Sequence, residues 1–230
     1  MKKGDLRKQE ILQTAEALFC RYGYDHTSIQ DILNQLNISK GSFYHHYISK
    51  ESLLEGICRK RAEQIYSTVS VHVRQGKDAS ENLNSLLSGM IPFKDEKLSF
   101  LLMLLPVFRT PEGKAVRMSY CDELLKQFKP AVIQELEMGN QTGVLACQFP
   151  DTTADMILSL INRMWVTICD NIIDAEEKGK DTDISSYLHL TECYRKTIER
   201  MILLPYGSIS LIDIPTLGSL AEQIHNHWKK

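Results

Sequence analysis

Apolar residues recur at helical spacing almost from the start of the chain. Between residues 6 and 22, Ile11, Ala15, Leu18, Phe19 and Tyr22 share one stripe and predict an amphipathic helix. Gly23 follows, where a left-handed terminating residue is expected. A second stripe, Ile29, Ile32, Leu33 and Leu36, predicts a short helix with two overlapping start signals. Thr27-x-x-Gln30 matches the capping-box pattern, and Ser28-x-x-Asp31 carries Asp in place of Glu or Gln. Asn37, which tolerates left-handed geometry, breaks the run; Ile38 is expected to plug the turn, and Ser39 to cap a third helix. There Phe43 and Tyr47 are four apart and face the core, leaving Lys40, Ser42, Tyr44 and His45 outward. Ser49 opens a fourth helix with Leu53, Leu54, Ile57 and Cys58 on its apolar face, expected to run without a linker to about Arg74.

Beyond Gly76 the periodicity stays helical, over 79–91, 97–105, 112–139, 152–178, 184–204 and 216–228. Pro92, Pro106, Pro150, Pro205 and Pro215 mark expected boundaries, Pro130 an expected kink, and 139–150 an expected loop. The helices 152–178 and 184–204 flank a short charged turn, GKDTD, and so predict an antiparallel hairpin. One displays Ile157, Ile161, Met164, Trp165, Ile168 and Ile172; the other displays Tyr187, Leu190, Tyr194, Ile198 and Met201. The expected fold class is all-α.

Charge adds a modest asymmetry. The net charge is −2, yet residues 1–62 hold ten Lys/Arg against seven Asp/Glu, and the remainder 17 against 22. The positive end therefore coincides with the short helices. Six scattered cysteines without a CxxC pair fit a reduced compartment. The N-terminus lacks the apolar stretch of a signal peptide. The apolar run 98–108 is interrupted and too short to span a bilayer. A soluble cytoplasmic protein with no membrane partner is expected. No Gly-rich phosphate loop, HExxH or GxSxG occurs, which argues against an enzyme. His225-x-His227 has no cysteine or carboxylate cluster beside it in the sequence, so neither a metal nor a cofactor is expected.

The segment 27–50 carries more hydrogen-bonding groups than a packing helix needs, and such groups suit phosphates and base edges. Its residues, with RKQEILQTAEALFCRYGYDHTSIQDIL before and ISKGSFYHHYISKESLL within and after, resemble the DNA-binding domain of the tetracycline-repressor (TetR) family over about residues 4–64. Departures are small: Leu33 stands where the family usually has alanine, and Asn37 where it usually has glycine. The resemblance implies an N-terminal three-helix domain (4–64, helix-turn-helix about 28–47). A continuous helix would join it to a larger helical ligand-binding and dimerisation domain (65–230).

Resemblance and helix geometry point to the same contacts. Gln30, Lys40, Gly41, Ser42 and Tyr44 are expected at bases: Lys40 can donate to guanine O6/N7, and Gly41 lets the backbone come close. Thr27, Ser28, His45, His46 and Lys50 are expected at phosphates. One short reading helix contacts too little DNA for specificity, so a homodimer through helices 152–178 and 184–204, reading a palindromic double-stranded operator, is expected. An apolar cavity for an unknown small-molecule effector is expected from Phe100, Met103, Phe108, Tyr120, Phe128, Asn162 and Trp165. These features imply a ligand-released repressor. The alternative is a DNA-binding protein of chromosome organisation or division control that senses no small molecule.

Overall fold

Ten helices make up the regular structure of the computed structural model, which describes residues 3–73, 78–93 and 95–228. In chain order they are α1 (Lys3–Tyr22), α2 (Ile29–Leu36), α3 (Lys40–Tyr44), α4 (Lys50–Val73) and α5 (Ala79–Gly89). They continue as α6 (Asp95–Phe108), α7 (Pro111–Thr142), α8 (Pro150–Glu177), α9 (Ile184–Met201) and α10 (Ile214–Trp228). The expected end of the fourth helix at Arg74 and the break at Gly76 lie outside the described residues. Several boundaries differ from the sequence pattern. Pro106, expected to mark a boundary, lies inside α6, whereas Pro130 lies within α7, inside the helix expected around it. α7 runs past Gly139 to Thr142, and α9 stops at Met201 rather than at 204.

The expected boundary near residue 64 is a single cut, whereas compactness divides the chain into two interleaved units. The first comprises Met1–Ala62 with Ser99–Glu123, the second Glu63–Leu98 with Leu124–Lys230. In the first unit, Ile11, Ala15 and Phe19 of α1 are buried, as are Ile32, Phe43, Leu53, Leu54 and Ile57. Each Ile, Leu or Phe among them contributes roughly 1.5–3 kcal/mol by leaving water. From α6 and α7 come Phe100 and Tyr120, whose rings meet edge-to-face at 6.0 Å. Arg61 of α4 lies 5.4 Å from the centre of the Phe100 ring and pairs with Glu16 of α1. The corner between α6 and α7 is tight. Thr110 Oγ1 accepts from Gly113 N at 2.9 Å and donates to Val107 O at 2.8 Å, and a Cβ on Gly113 would meet Val107 O at 1.7 Å.

In the second unit α8 packs on α9 and α10. By length and composition alone α8 could cross a membrane, but Ile157, Leu158, Ile161, Trp165, Ile168 and Ile172 are all covered by the chain itself. This corrects one reading of the hairpin: the apolar face expected to be displayed by α8 is already buried within the chain. On α9, Tyr187 and Ile198 are buried, whereas Leu190, Tyr194 and Met201 are partly exposed. Glu199 of α9 accepts from Arg195 Nη1 at 2.7 and 2.8 Å and from the backbone N–H of Gly207 and Ile209 at 3.1 and 3.0 Å. Those bonds fasten the connection between α9 and α10.

Candidate nucleic-acid interface

The start of α2 is set by Ser28. Its backbone is extended (φ −89°, ψ 161°), its Oγ accepts from Asp31 N at 3.2 Å, and Asp31 Oδ2 accepts from Ser28 N at 2.7 Å. This is a reciprocal capping box with aspartate closing it. The Ser28 hydroxyl also donates to Asp31 Oδ2 at 2.6 Å, so both its donor and acceptor sides are occupied, and those bonds hold the Asp31 carboxyl below its usual range. Thr27 belongs to neither cap nor surface. It is 2% exposed, and its hydroxyl donates to Gly23 O at 2.8 Å, with Leu18 O at 3.4 Å. Thr27 therefore cannot offer its side chain to a phosphate, and the Thr27–Gln30 pairing is not the helix start. That expectation is corrected: the hydroxyl is spent tying the end of α1 to the turn before α2.

Asn37 closes α2 in the left-handed region (φ 50°), its N–H donating to Asn34 O. Ser39 then caps α3, accepting from Ser42 N at 3.2 Å. α3 is only five residues long, and Phe43, fully buried, anchors it. Lys40, Gly41, Tyr44 and His45 are exposed, and Ser42 is half-buried. Gly41 has no need of glycine inside the protein, since an added Cβ would meet only Ser39 Oγ, at 3.9 Å. Its missing side chain opens space on the outer face of the helix. Tyr44 is 49% exposed and touches Phe43 ring edge to face at 5.3 Å. Gln30 lies on the exposed face of α2, its Nε2 donating to Asn34 Oδ1 at 2.8 Å.

His45 and His46 stack edge to face at 5.0 Å. Burial first, then the positive charges of His45, Lys8 and Arg7, pull the His46 imidazole below its usual pKa. Arg7 and Lys8 thus join the histidines in one positive field, a contribution from α1 that sequence reading of 27–50 missed. The signal was present in the basic N-terminus but had no distance attached to it. Lys8 also lies 5.9 Å from the centre of the Tyr47 ring. Lys50 points inward: its Nζ donates to Tyr24 O and sits 4.0 Å from the centre of the Tyr24 ring. Burial lowers its ammonium pKa, with Asp25 and Glu51 acting in the opposite direction. A phosphate contact by Lys50 would require that hydrogen bond to open.

The seven residues expected to line an effector cavity are buried, but they are divided between the two units. Phe100, Met103, Phe108 and Tyr120 lie in the first, and Phe128, Asn162 and Trp165 in the second. Phe128 meets Tyr66 edge to face at 5.3 Å, and Trp165 Nε1 donates to Asn162 Oδ1 at 3.0 Å. An open cleft of about 550 Å³ lies elsewhere, between Leu188, Glu192 and Arg195 of α9 and the segment 207–212.

The pattern described as "Bacterial regulatory proteins, tetR family" matches residues 11–57, which take in every candidate DNA contact from Thr27 to Lys50. Over those residues the chain is similar to the TetR family. Among curated TetR-type relatives, the HTH-type transcriptional repressor KstR2 of Mycobacterium tuberculosis is 24% identical over 166 residues, covering 70% of this chain and 80% of that protein. The biofilm operon icaADBC negative transcriptional regulator IcaR of Staphylococcus epidermidis is 27% identical over 138 residues, 55% of this chain and 71% of IcaR. Solved structures share the fold. A protein from Saccharomonospora viridis in complex with choline has a TM-score of 0.53 at 22% identity over 85% of this chain and 96% of that one. RolR with resorcinol has a TM-score of 0.56 at 14% identity, over 96% and 95%. The named repressors among these relatives support a DNA-binding transcriptional regulator of TetR type.

Proposed function

We propose that this chain is a TetR-type repressor that binds a palindromic operator as a homodimer in the cytoplasm and is released by a small molecule. The reading assigns operator recognition to 4–64, and effector binding and dimerisation to 65–230. The observation that carries it is the outer face of α3, where Gly41 leaves open space between exposed Lys40 and half-buried Ser42, with Tyr44 alongside. A reading helix of five residues reaches a groove floor only if its N-terminal end is small and polar. Lys40, Gly41, Ser42, Tyr44 and Gln30 are the proposed base contacts. His45, His46 and Lys50 are the proposed phosphate contacts, joined by Arg7 and Lys8; Ser28 joins them only if its hydroxyl turns away from Asp31. The effector half of the reading draws support from the fold's solved members that hold choline and resorcinol.

Genomic footprinting supplies the operator, and fluorescence anisotropy on that DNA tests the reading. Lys40→Ala should weaken operator binding by about 1–3 kcal/mol and relax preference at one base position. Unchanged affinity and preference would remove Lys40 from the base contacts.

A further inference from the structure

Among the described residues three glutamates are buried, and two of them are fully answered. Glu16 pairs with Arg61, while Glu199 accepts from Arg195 and from two backbone N–H groups. The third, Glu135 of α7, is 6% exposed and accepts one neutral hydrogen bond, from Asn82 Nδ2 of α5 at 3.0 Å. No basic side chain pairs with it among the described residues. Lys129, on the same helix, is held by Asp155 at 2.8 Å and Asp151 at 3.1 Å. The oxygen of that amide, Asn82 Oδ1, is buried and has no protein partner. Side chains from two helices of the second unit thus share one hydrogen bond and leave two neighbouring acceptors, the second Glu135 oxygen and Asn82 Oδ1, that no donor among the described residues answers. A carboxylate can accept about four hydrogen bonds, and a buried one is strongly disfavoured until positive charge or donors answer it.

We propose that Glu135 and Asn82 form the polar end of an effector site for an organic cation bearing N–H donors, an ammonium, amidinium or guanidinium. The proposal rests on the reading of the chain as an effector-released regulator and names the chemistry of that effector. A planar amidinium presents two parallel N–H groups, one for the Glu135 carboxylate and one for Asn82 Oδ1. A metal ion fits less well. Hard cations take about six to eight oxygen ligands, and no group of three metal-ligating side chains occurs among the described residues. Phe128 lies two helical turns before Glu135 on the same stripe of α7, buried and in edge contact with Tyr66 of α4. An apolar or aromatic body on the cation would lie toward that pair.

Isothermal titration calorimetry on the full chain, with benzamidine, phenethylammonium and agmatine as probes and neutral benzamide as control, tests the site. At least one cation should bind saturably, once per chain, and benzamide at least tenfold more weakly. Glu135→Gln, which keeps the shape and the carbonyl acceptor, should lose at least tenfold in affinity, and Asn82→Ser several-fold. Failure of all three cations to bind, or equal binding by Glu135→Gln, would overturn the proposal. Operator affinity measured alongside separates the two readings. Saturable cation binding that leaves operator affinity unchanged supports the site and removes the release mechanism. No cation binding with intact operator binding removes the site alone.

Discussion

The His46 imidazole is held below its usual pKa by burial and by the positive neighbours His45, Lys8 and Arg7, against a weaker pull from Asp5. A base with a depressed folded pKa binds fewer protons folded than unfolded. The free protein therefore loses stability as pH falls through the range below 6.5 and regains it above. A phosphate placed against this group works in the reverse sense, since it favours the imidazolium, so operator binding takes up a proton. Affinity at fixed salt should rise between neutral pH and about 5.5, and His46→Gln should flatten that rise. The same pH slope in the variant would show that His46 does not face a phosphate. Gly41 and Lys40 were legible in the sequence because helical spacing alone turns them outward. Thr27 and Ser28 were not separable there. They are adjacent hydroxyls with equal capping potential, and only the inward hydrogen bonds of Thr27 to Gly23 and Leu18 tell them apart.

At the scale of elements, the capping box on α2 makes a measurable claim. Ser28→Ala should cost about 1 kcal/mol in urea denaturation with an unchanged m value. Thr27→Ser, which keeps the inward hydroxyl, should cost less than Ser28→Ala; the opposite order would reassign the cap. Helix starts were readable because Ser28, Ser39 and Ser49 are local signals whose partners lie three residues away. Helix ends beyond residue 78 were not. Proline removes one donor and kinks a helix at a cost of about 3 kcal/mol, and in α6 and α7 the buried apolar stretches on either side of it offset that cost. Gly139 read as a terminator, yet a Cβ there would come 2.5 Å from Leu145, so the residue serves close approach. The true stop is Gly143, in the left-handed region at φ 72°.

For the whole molecule, the proposed homodimer must use surface that one chain leaves uncovered. On α8 the apolar face is spent internally, but Phe149, Met156 and Arg163 recur every seven residues on the exposed side, the first two at 64% and 54% exposure. Exposed apolar residues at two-turn spacing suit a helix pairing with its own copy. Sedimentation equilibrium should find a dimer at micromolar concentration, and Met156→Arg should raise the dissociation constant at least tenfold. A monomeric wild type would remove the two-fold reader. The cavity residues show the limit of sequence reading at this scale. Met and aromatic enrichment marks buried positions but carries no record of which unit each side chain joins, and Phe100 and Phe128 fall in different ones.

The interleaving of the two units bears on how such a protein can change its target. A graft that transplants residues up to Ala62 from a relative carries the reading helix but leaves Phe100 and Tyr120 behind, so Arg61 would face a foreign ring or none. Recombination at one crossover thus breaks a core that two separate stretches of chain build together. If the proposed base contacts hold, new operator preferences are more readily reached by point substitution at Gln30, Lys40 and Tyr44, where the exposed faces of α2 and α3 can vary without disturbing what lies beneath them.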